Sequence, residues 1–393
     1  MPSAAQQRFN PSLRVTTPDL SPCPQAIDAD RVNFAEPLPT SDLQPEHQAQ
    51  LFPSLGYYDF QRAAWRAFVH GRVFIDGRVP IGTRLLLKGL TKAMRATPEE
   101  VASDTFQSRI DGFLSAPGRR RRIVLAIGSR QYRLRRRTRR NGSFYGTLTL
   151  PQDATAACSK NAPSALAMQL LRSTDEVGTI SATRGEIHLV PTHGISVVSD
   201  IDDTIKMTEA TSRKEMLANT FLRPFEVIEG MAQLYQSWET QGCAFHYVSS
   251  SPWQLYEPLA ELCAASRFPS GSMHLRYFRV RDEMFKRFRP IRRNSKVGII
   301  AGILKTLPAR KFILVGDSGE KDPEIYRFLA RRFPTQIVAV LIRNLESRPL
   351  DAKRLRKLRT ISGTTRCKIF TKSEEIAGTI DRLKQKHPDL NHP

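Results

Sequence analysis

Two aspartates spaced two apart, Asp200 and Asp202, follow the apolar run Ile195-Ser196-Val197-Val198, and Thr204 stands two places further on. A short continuous apolar run before a turn suits a strand buried in a parallel sheet. In open α/β sheets, ligands bind outside the carboxyl ends of such strands. The spacing therefore predicts two carboxylates at a reacting centre. One could attack an electrophile such as phosphorus, and the other could give and take a proton. The plain alternative is an acidic turn that caps a helix after Thr204.

Three later segments weigh against that alternative. Phe245-His246-Tyr247-Val248 reads as a second strand, ending in Ser249-Ser250-Ser251 with Pro252 placed for the first turn of a helix. Hydroxyls and free backbone N–H groups at such a junction suit a phosphate. Lys296 opens the helical pattern Val297, Ile300, Ile303, Leu304, at the end where the helix dipole disfavours a cation unless something else requires it. Phe312-Ile313-Leu314-Val315 reads as a third buried strand, running into Gly316-Asp317-Ser318-Gly319-Glu320-Lys321-Asp322. Carboxylates there, beside a substrate phosphate, suit Mg²⁺, which prefers oxygen ligands.

The order Asp200-x-Asp202-x-Thr204, then Ser249, then Lys296, then Asp317 and Asp322 resembles the four-motif signature of the haloacid dehalogenase superfamily. In detail, SDIDDT, YVSSSPWQLY and LVGDSGEKDPEIY resemble one branch: the Mg²⁺-dependent phosphatidate phosphatase catalytic domain of the actin-patch-associated type, related to the lipins. The resemblance covers Gly194 to about Leu345. Upstream, Val73-Phe74 after Gly71 and Asn141-Gly142-Ser143-Phe144 resemble that family's β domain more weakly.

The resemblance implies a role for each residue. Asp200 would be the nucleophile that forms an aspartyl-phosphate, and Asp202 would protonate the leaving alkoxide and then deprotonate water. Thr204 would orient them. Ser249, with Ser250 as the alternative, and Lys296 would hold phosphoryl oxygens. Asp200, the backbone carbonyl of Asp202 and Asp317 would bind Mg²⁺, with Asp322 behind them. Arg276 and Arg279 lie where this superfamily can carry a cap, and would contact substrate. Asp203 stands where many relatives have glycine, with no role assigned.

These motifs need a scaffold, and 393 residues allow about two domains. The expected fold from 194 to 393 is a haloacid-dehalogenase-like α/β unit, a parallel sheet with helices on both faces. Residues 56–193 read as a small β-sandwich with possible membrane docking. Its strand-like runs are Arg72–Phe74, Arg84–Leu87, Ile123–Ile127, Tyr132–Arg137, Tyr145–Leu150 and Gly185–Val190, with Asn141-Gly142 as a hairpin turn. The Pro-, Ser- and Gln-rich stretch 1–55 is expected to be disordered. Five scattered cysteines read as free thiols in a reducing cytoplasm. No apolar run approaches the ~20 residues of a membrane span, and no signal-peptide pattern opens the chain.

The net charge is +22 and the pI about 10.2. Eleven arginines and no acid lie between Arg119 and Arg140, and nine basic residues between Arg276 and Lys296 interleave with Tyr277, Phe278, Phe285 and Phe288. Such density predicts an anionic partner, here an anionic phospholipid surface carrying phosphatidate. The expectation is a cytoplasmic, peripheral membrane enzyme that hydrolyses phosphatidate to diacylglycerol and phosphate with Mg²⁺. A phosphatase of nucleic-acid ends and a non-catalytic phosphatidate-binding module are the alternatives. The first is disfavoured because no nucleic-acid recognition signature is present, and the second because Asp202 is retained.

Overall fold

The apolar runs around the motif residues become strands of one all-parallel sheet. The computed structural model of the chain describes residues 40–76, 81–156, 158, 162–173, 180–208, 213–276, 296–361 and 365–387. Seventeen strands are described. Nine precede the parallel sheet: β1 His47–Leu51, β2 Ser54–Asp59, β3 Ala64–Ile75, β4 Ala116–Pro117, β5 Val124–Ile127, β6 Arg130–Arg133, β7 Ser143–Thr149, β8 Ser164–Ser173 and β9 Ile180–Val190. The rest are β10 Ile195–Ser199, β11 Lys206–Met207, β12 Glu226–Val227, β13 Ala244–Pro252, β14 Gly271–Arg276, β15 Lys311–Asp317, β16 Ile337–Arg343 and β17 Arg366–Phe370. The parallel sheet has the order β14-β13-β10-β15-β16-β17, so the strand bearing the paired aspartates is interior.

Side chains alternate across a strand, and the two faces of this sheet bury two separate cores. Ile195 and Val197 join Phe245, Tyr247, Ile313 and Val315 on one face, under Tyr235 and Trp238 of the helix Met231–Thr240. Val198 joins Ala244, Val248, Phe312 and Leu314 on the other, under Ile300 and Leu304 of the helix Lys296–Thr306 and Leu329 of the helix Asp322–Arg332. Helices thus cover both faces, as the alternation of elements predicts.

The preceding strands form one nine-stranded sheet, where a two-sheet sandwich is expected. The path β3-β2-β9-β8-β5-β6 curls until β6 approaches β7, which pairs with β3 on the other side. There Tyr132 Oη donates to the Thr149 carbonyl at 2.6 Å. Val69, Leu125, Leu148, Met168 and Leu189 fill the interior. Strands β1 and β2 fall inside the 1–55 segment and across its boundary; residues 1–39 lie outside the described residues.

Two local expectations change. Arg84–Leu87, expected as a strand, lies within the helix Ile81–Met94. A three-leucine run is too short to distinguish the periods; Leu87, Leu90 and Met94 continue it at helical spacing and pack onto the same core as Ile195 and Val197. Asn141-Gly142 turns the chain, with Gly142 at φ 78°, but joins no paired strands, since β6 pairs with β5 and β7 with β3. The boundary at 193 is also not a boundary of packing. Phe106, Ile110 and Phe113 of the helix Asp104–Leu114 belong to the same core as Ile195 and Val197. Cys158, Cys243, Cys263 and Cys367 are free thiols, and no helix among the described residues is long and apolar enough to cross a membrane.

Candidate active site

Register brings the motifs together. Ser199 of β10 pairs with Tyr247 of β13 and with Val315 of β15. Asp200, Ser249 and Asp317 therefore emerge one or two residues beyond the same level, at the carboxyl end of the sheet. The Asp200 N–H donates to the Val315 carbonyl at 2.9 Å, which pins the start of the turn. Gly316 makes room beside it: a methyl group there would lie 2.1 Å from Asp322 Oδ2.

The two aspartates face different partners. Asp200 is buried; Lys296 Nζ lies 2.8 Å from its Oδ1 and 2.5 Å from Asp322 Oδ1. That pair of carboxylates explains a lysine at a helix start. Asp317 Oδ1 accepts from the N–H groups of Gly319 and Glu320 at 2.6 and 3.0 Å. Asp200, Asp317 and Asp322 bring ligand atoms within 4.8 Å of one another, and the Oδ2 of each is buried with no hydrogen-bond partner. Three such oxygens with one ammonium among them fit a hard divalent cation.

Asp202 turns elsewhere. Its Oδ1 lies 2.7 Å from Lys206 Nζ, and its Oδ2 accepts from Ser251 Oγ at 2.7 Å and Ser249 Oγ at 3.1 Å. Ser250 is exposed, so of the two candidate serines Ser249 is the one that faces the aspartates. Thr204 is fully buried, but its hydroxyl has no hydrogen-bond partner. The side-chain contacts to Asp202 come from Lys206, Ser249 and Ser251. Arg276 ends the edge strand β14, exposed and two strands from Asp200. Arg279 and the aromatics Tyr277, Phe278, Phe285 and Phe288 lie outside the described residues.

The electrostatics divide the carboxylates. Burial raises Asp200 well above the usual carboxylate range; Lys296 opposes this, while Asp322, Glu320 and Asp317 add to it. Burial, then the charges of Asp322 and Glu320, push Asp317 up to about 7. Burial also acts on Asp202, but the charge of Lys206 and the hydrogen bonds from Lys206, Ser251 and Ser249 outweigh it and hold that carboxyl below its ordinary value. Burial lowers Lys296, yet Asp200 and Asp322 reverse this and hold it above the ordinary lysine value. These directions are the reverse of those the expected roles require; a divalent cation at Asp200, Asp317 and Asp322 would lower Asp200, and a phosphate's negative charge beside Asp202 would raise it.

Residues 195–344 match the family described as the catalytic domain of phosphatidate phosphatase APP1. Over these residues the chain is similar to that catalytic domain. It is 40% identical over 158 residues to phosphatidate phosphatase APP1 of Saccharomyces cerevisiae, covering 39% of this chain and 26% of that protein. It is 32% identical over 193 residues to an uncharacterized protein of Schizosaccharomyces pombe, covering 48% of this chain and 31% of that one. The matches thus span about a quarter to a third of those relatives. A putative haloacid-dehalogenase-like phosphatase from Mesorhizobium loti overlaps 51% of this chain and 93% of its own, at 13% identity and a TM-score of 0.29, too low to carry an argument.

Within this domain, sequence reasoning missed Lys206, Ser251 and the role of Asp203. Asp203 has φ 56°, a left-handed conformation that suits glycine and that aspartate tolerates better than most residues. Its Oδ1 accepts from the Thr208 N–H at 2.6 Å, and Arg343 Nη1 donates to its carbonyl at 3.0 Å. The signals were present, a lysine four residues after Asp202 and a third aspartate directly after it. Neither points to chemistry until the turn is seen.

Proposed function

We propose that the chain is a Mg²⁺-dependent phosphatidate phosphatase that releases diacylglycerol and phosphate through an aspartyl-phosphate on Asp200. The observation that supports this best is the division of the two aspartates. Asp200 keeps a buried oxygen without a donor beside Lys296, Asp317 and Asp322, whereas Asp202 is surrounded by donors. In the first step the Asp200 carboxylate forms a bond to phosphorus, the bond to the glycerol oxygen breaks, and Asp202, protonated once the substrate's negative charge lies beside it, gives its proton to that oxygen. In the second, Asp202 takes a proton from water as the water oxygen bonds to phosphorus, the bond from Asp200 to phosphorus breaks, and inorganic phosphate leaves. Ser249 and Lys296 would meet phosphoryl oxygens. Asp200, Asp317 and the backbone carbonyl of Asp202 would hold Mg²⁺, with Asp322 behind them; when bound, it supplies positive charge against the phosphoryl oxygens.

An anionic membrane surface is the partner this reading requires, and the arginine-rich region has the shape for it. Residues 118–123 run antiparallel to 134–138, joined at buried Thr138, whose N–H donates to the Arg121 carbonyl and whose hydroxyl donates to the Gly118 carbonyl. Six of the eleven arginines are exposed on these two segments and Arg139 and Arg140 just beyond them, and Asp42 lies 3.3 Å from Arg137. The excess cations suit phospholipid headgroups.

The test is phosphate release from dioctanoyl phosphatidate in mixed micelles, with Mg²⁺ and with chelator, beside a 3′-phosphorylated oligonucleotide. We expect release from phosphatidate that stops in chelator and returns with Mg²⁺. Asp200→Asn should abolish it. Release from the oligonucleotide alone, or undiminished release in chelator, would overturn this reading.

A further inference from the structure

Two lysines divide the two aspartates. Lys296 serves Asp200 and Asp322. Lys206, only 1% exposed, serves Asp202. Its Nζ lies 2.7 Å from Asp202 Oδ1 and 2.8 Å from Thr208 Oγ1, and 4.6 Å from the centre of the Phe225 ring. A buried ammonium is costly without partners, and here a carboxylate, a hydroxyl and an aromatic face supply them. The other oxygen of Asp202 is held by Ser251 at 2.7 Å and Ser249 at 3.1 Å.

We infer that Lys206, together with Ser251, is a positioning residue that fixes the Asp202 carboxylate for proton transfer to the leaving group. The inference rests on the phosphatase reading above. The backbone makes the arrangement rigid: the Asp203 N–H donates to the Lys206 carbonyl at 2.7 Å, and the Lys206 N–H donates to the Ile201 carbonyl at 2.9 Å. Ammonium and carboxylate are therefore set by one turn. That turn leads into β11, which pairs Lys206 with Val227 of β12, and so brings Phe225 under the ammonium. Arg109, from the helix Asp104–Leu114, stacks on the same ring with its guanidinium carbon 3.2 Å from the centre. The acid is thus anchored through Lys206 to an element outside the catalytic sheet.

The chemical consequence concerns the leaving group. Diacylglycerol leaves as an alkoxide and needs a proton in the transition state, whereas nitrophenolate leaves readily without one. A carboxylate freed to rotate would lose reach to the leaving oxygen, and a displacement of about 1 Å can cost on the order of 100-fold. A lysine that only neutralised a buried charge would affect both substrates alike.

The experiment compares the full chain with Lys206→Met, Ser251→Ala, Asp202→Asn and the double variant Lys206→Met/Asp202→Asn, on dioctanoyl phosphatidate micelles and on p-nitrophenyl phosphate, both with Mg²⁺. We expect kcat on phosphatidate to fall about 100-fold in Lys206→Met and about tenfold in Ser251→Ala, each with at least about a tenfold and threefold smaller loss, respectively, on the aryl ester. In the Asp202→Asn background, Lys206→Met should change phosphatidate turnover by less than about threefold, because residues acting through one group are not additive. Equal losses on the two substrates, or a full further loss in that background, would overturn the assignment. Should Lys206→Met fail to fold by thermal melting, Ser251→Ala carries the same comparison, and an equal loss or no loss there overturns it. If the parent chain releases phosphate from neither substrate, the phosphatase reading fails and this inference falls with it, an outcome distinct from losses confined to variants.

Discussion

At the level of single residues, Asp203 combines two opposing terms that can be separated. Its left-handed backbone costs roughly 1 kcal/mol relative to a residue without Cβ strain, while its carboxylate accepts a 2.6 Å hydrogen bond from the Thr208 N–H, worth on the order of 1–2 kcal/mol. Asp203→Gly should therefore change stability by less than about 1 kcal/mol, since it removes both terms. Asp203→Ala keeps the strain and loses the bond, and should cost about 2 kcal/mol. Urea unfolding of the three proteins checks this. Alanine and glycine variants of equal stability would show that backbone strain contributes nothing there. The same turn carries Asp202 and Lys206, so Asp203 stabilises the surroundings of the proposed acid.

Between elements, the contact of β3 with β13, β14 and the turn after β13 sets a pH limit. His70 of β3 is 2% exposed, packed among Phe52, Trp253 and His274, and neither of its ring nitrogens has a hydrogen-bond partner. Burial, with the nearby His274, lowers its pKa to about 3; burial lowers His274 and His188 to about 4, and holds His246 well below the ordinary value. All four shifts have the same sign. The unfolded chain takes protons near pH 6.5 and the native one does not, so stability is intact above that pH and falls as pH drops toward 3–4, by about 1.4 kcal/mol per unit for each imidazole. Asp200 and Asp317 are shifted the other way and offset part of this fall in any variant that keeps them, so the test by thermal unfolding is a difference: from pH 7 to 5, His70→Phe should lose less Tm, or gain more, than the parent. The variant should also hold or raise the Tm at pH 7, since it removes two unpartnered buried nitrogens. An unchanged slope would show that His70 is not a buried neutral imidazole. This interface was not legible in the sequence. The parallel strands were, because Ile195–Val198, Phe245–Val248 and Phe312–Val315 are apolar on both faces and end in polar residues. The four motifs were legible too, since each follows or opens such an element. The helix Ile81–Met94 was missed because its leucine run carries no period by itself, and Lys206 was missed because its partner is set by a turn.

At the scale of the whole molecule, the proposed substrate is embedded in a bilayer, and the chain that would meet it carries a net charge of +22. The nine-stranded sheet joins the catalytic core through Phe52 stacked on Trp253, with ring centres 3.7 Å apart, and through the Met273 N–H to the Pro53 carbonyl. A surface held by the sheet is thereby carried with the active site. The two arginine-rich segments flank strands of that sheet, and among the described residues no carboxylate or ring meets the side chains of Arg119, Arg120 and Arg135 on them or of Arg140 just beyond. Each cation near an anionic surface contributes about 1 kcal/mol, screened over about 10 Å at 0.1 M salt. Replacing these four by serine should therefore weaken binding to phosphatidate-containing phosphatidylcholine vesicles by about 4 kcal/mol at low salt, roughly a thousandfold. The difference from the parent should shrink at high salt. Hydrolysis of soluble p-nitrophenyl phosphate should stay within about twofold, because the substitutions are exposed and lie on the sheet, away from the catalytic strands. Vesicle sedimentation at two ionic strengths, beside soluble-substrate kinetics, measures both quantities. If the serine variant sediments with vesicles as the parent does, the arginine segments are not the membrane dock, and the excess charge answers to another anion.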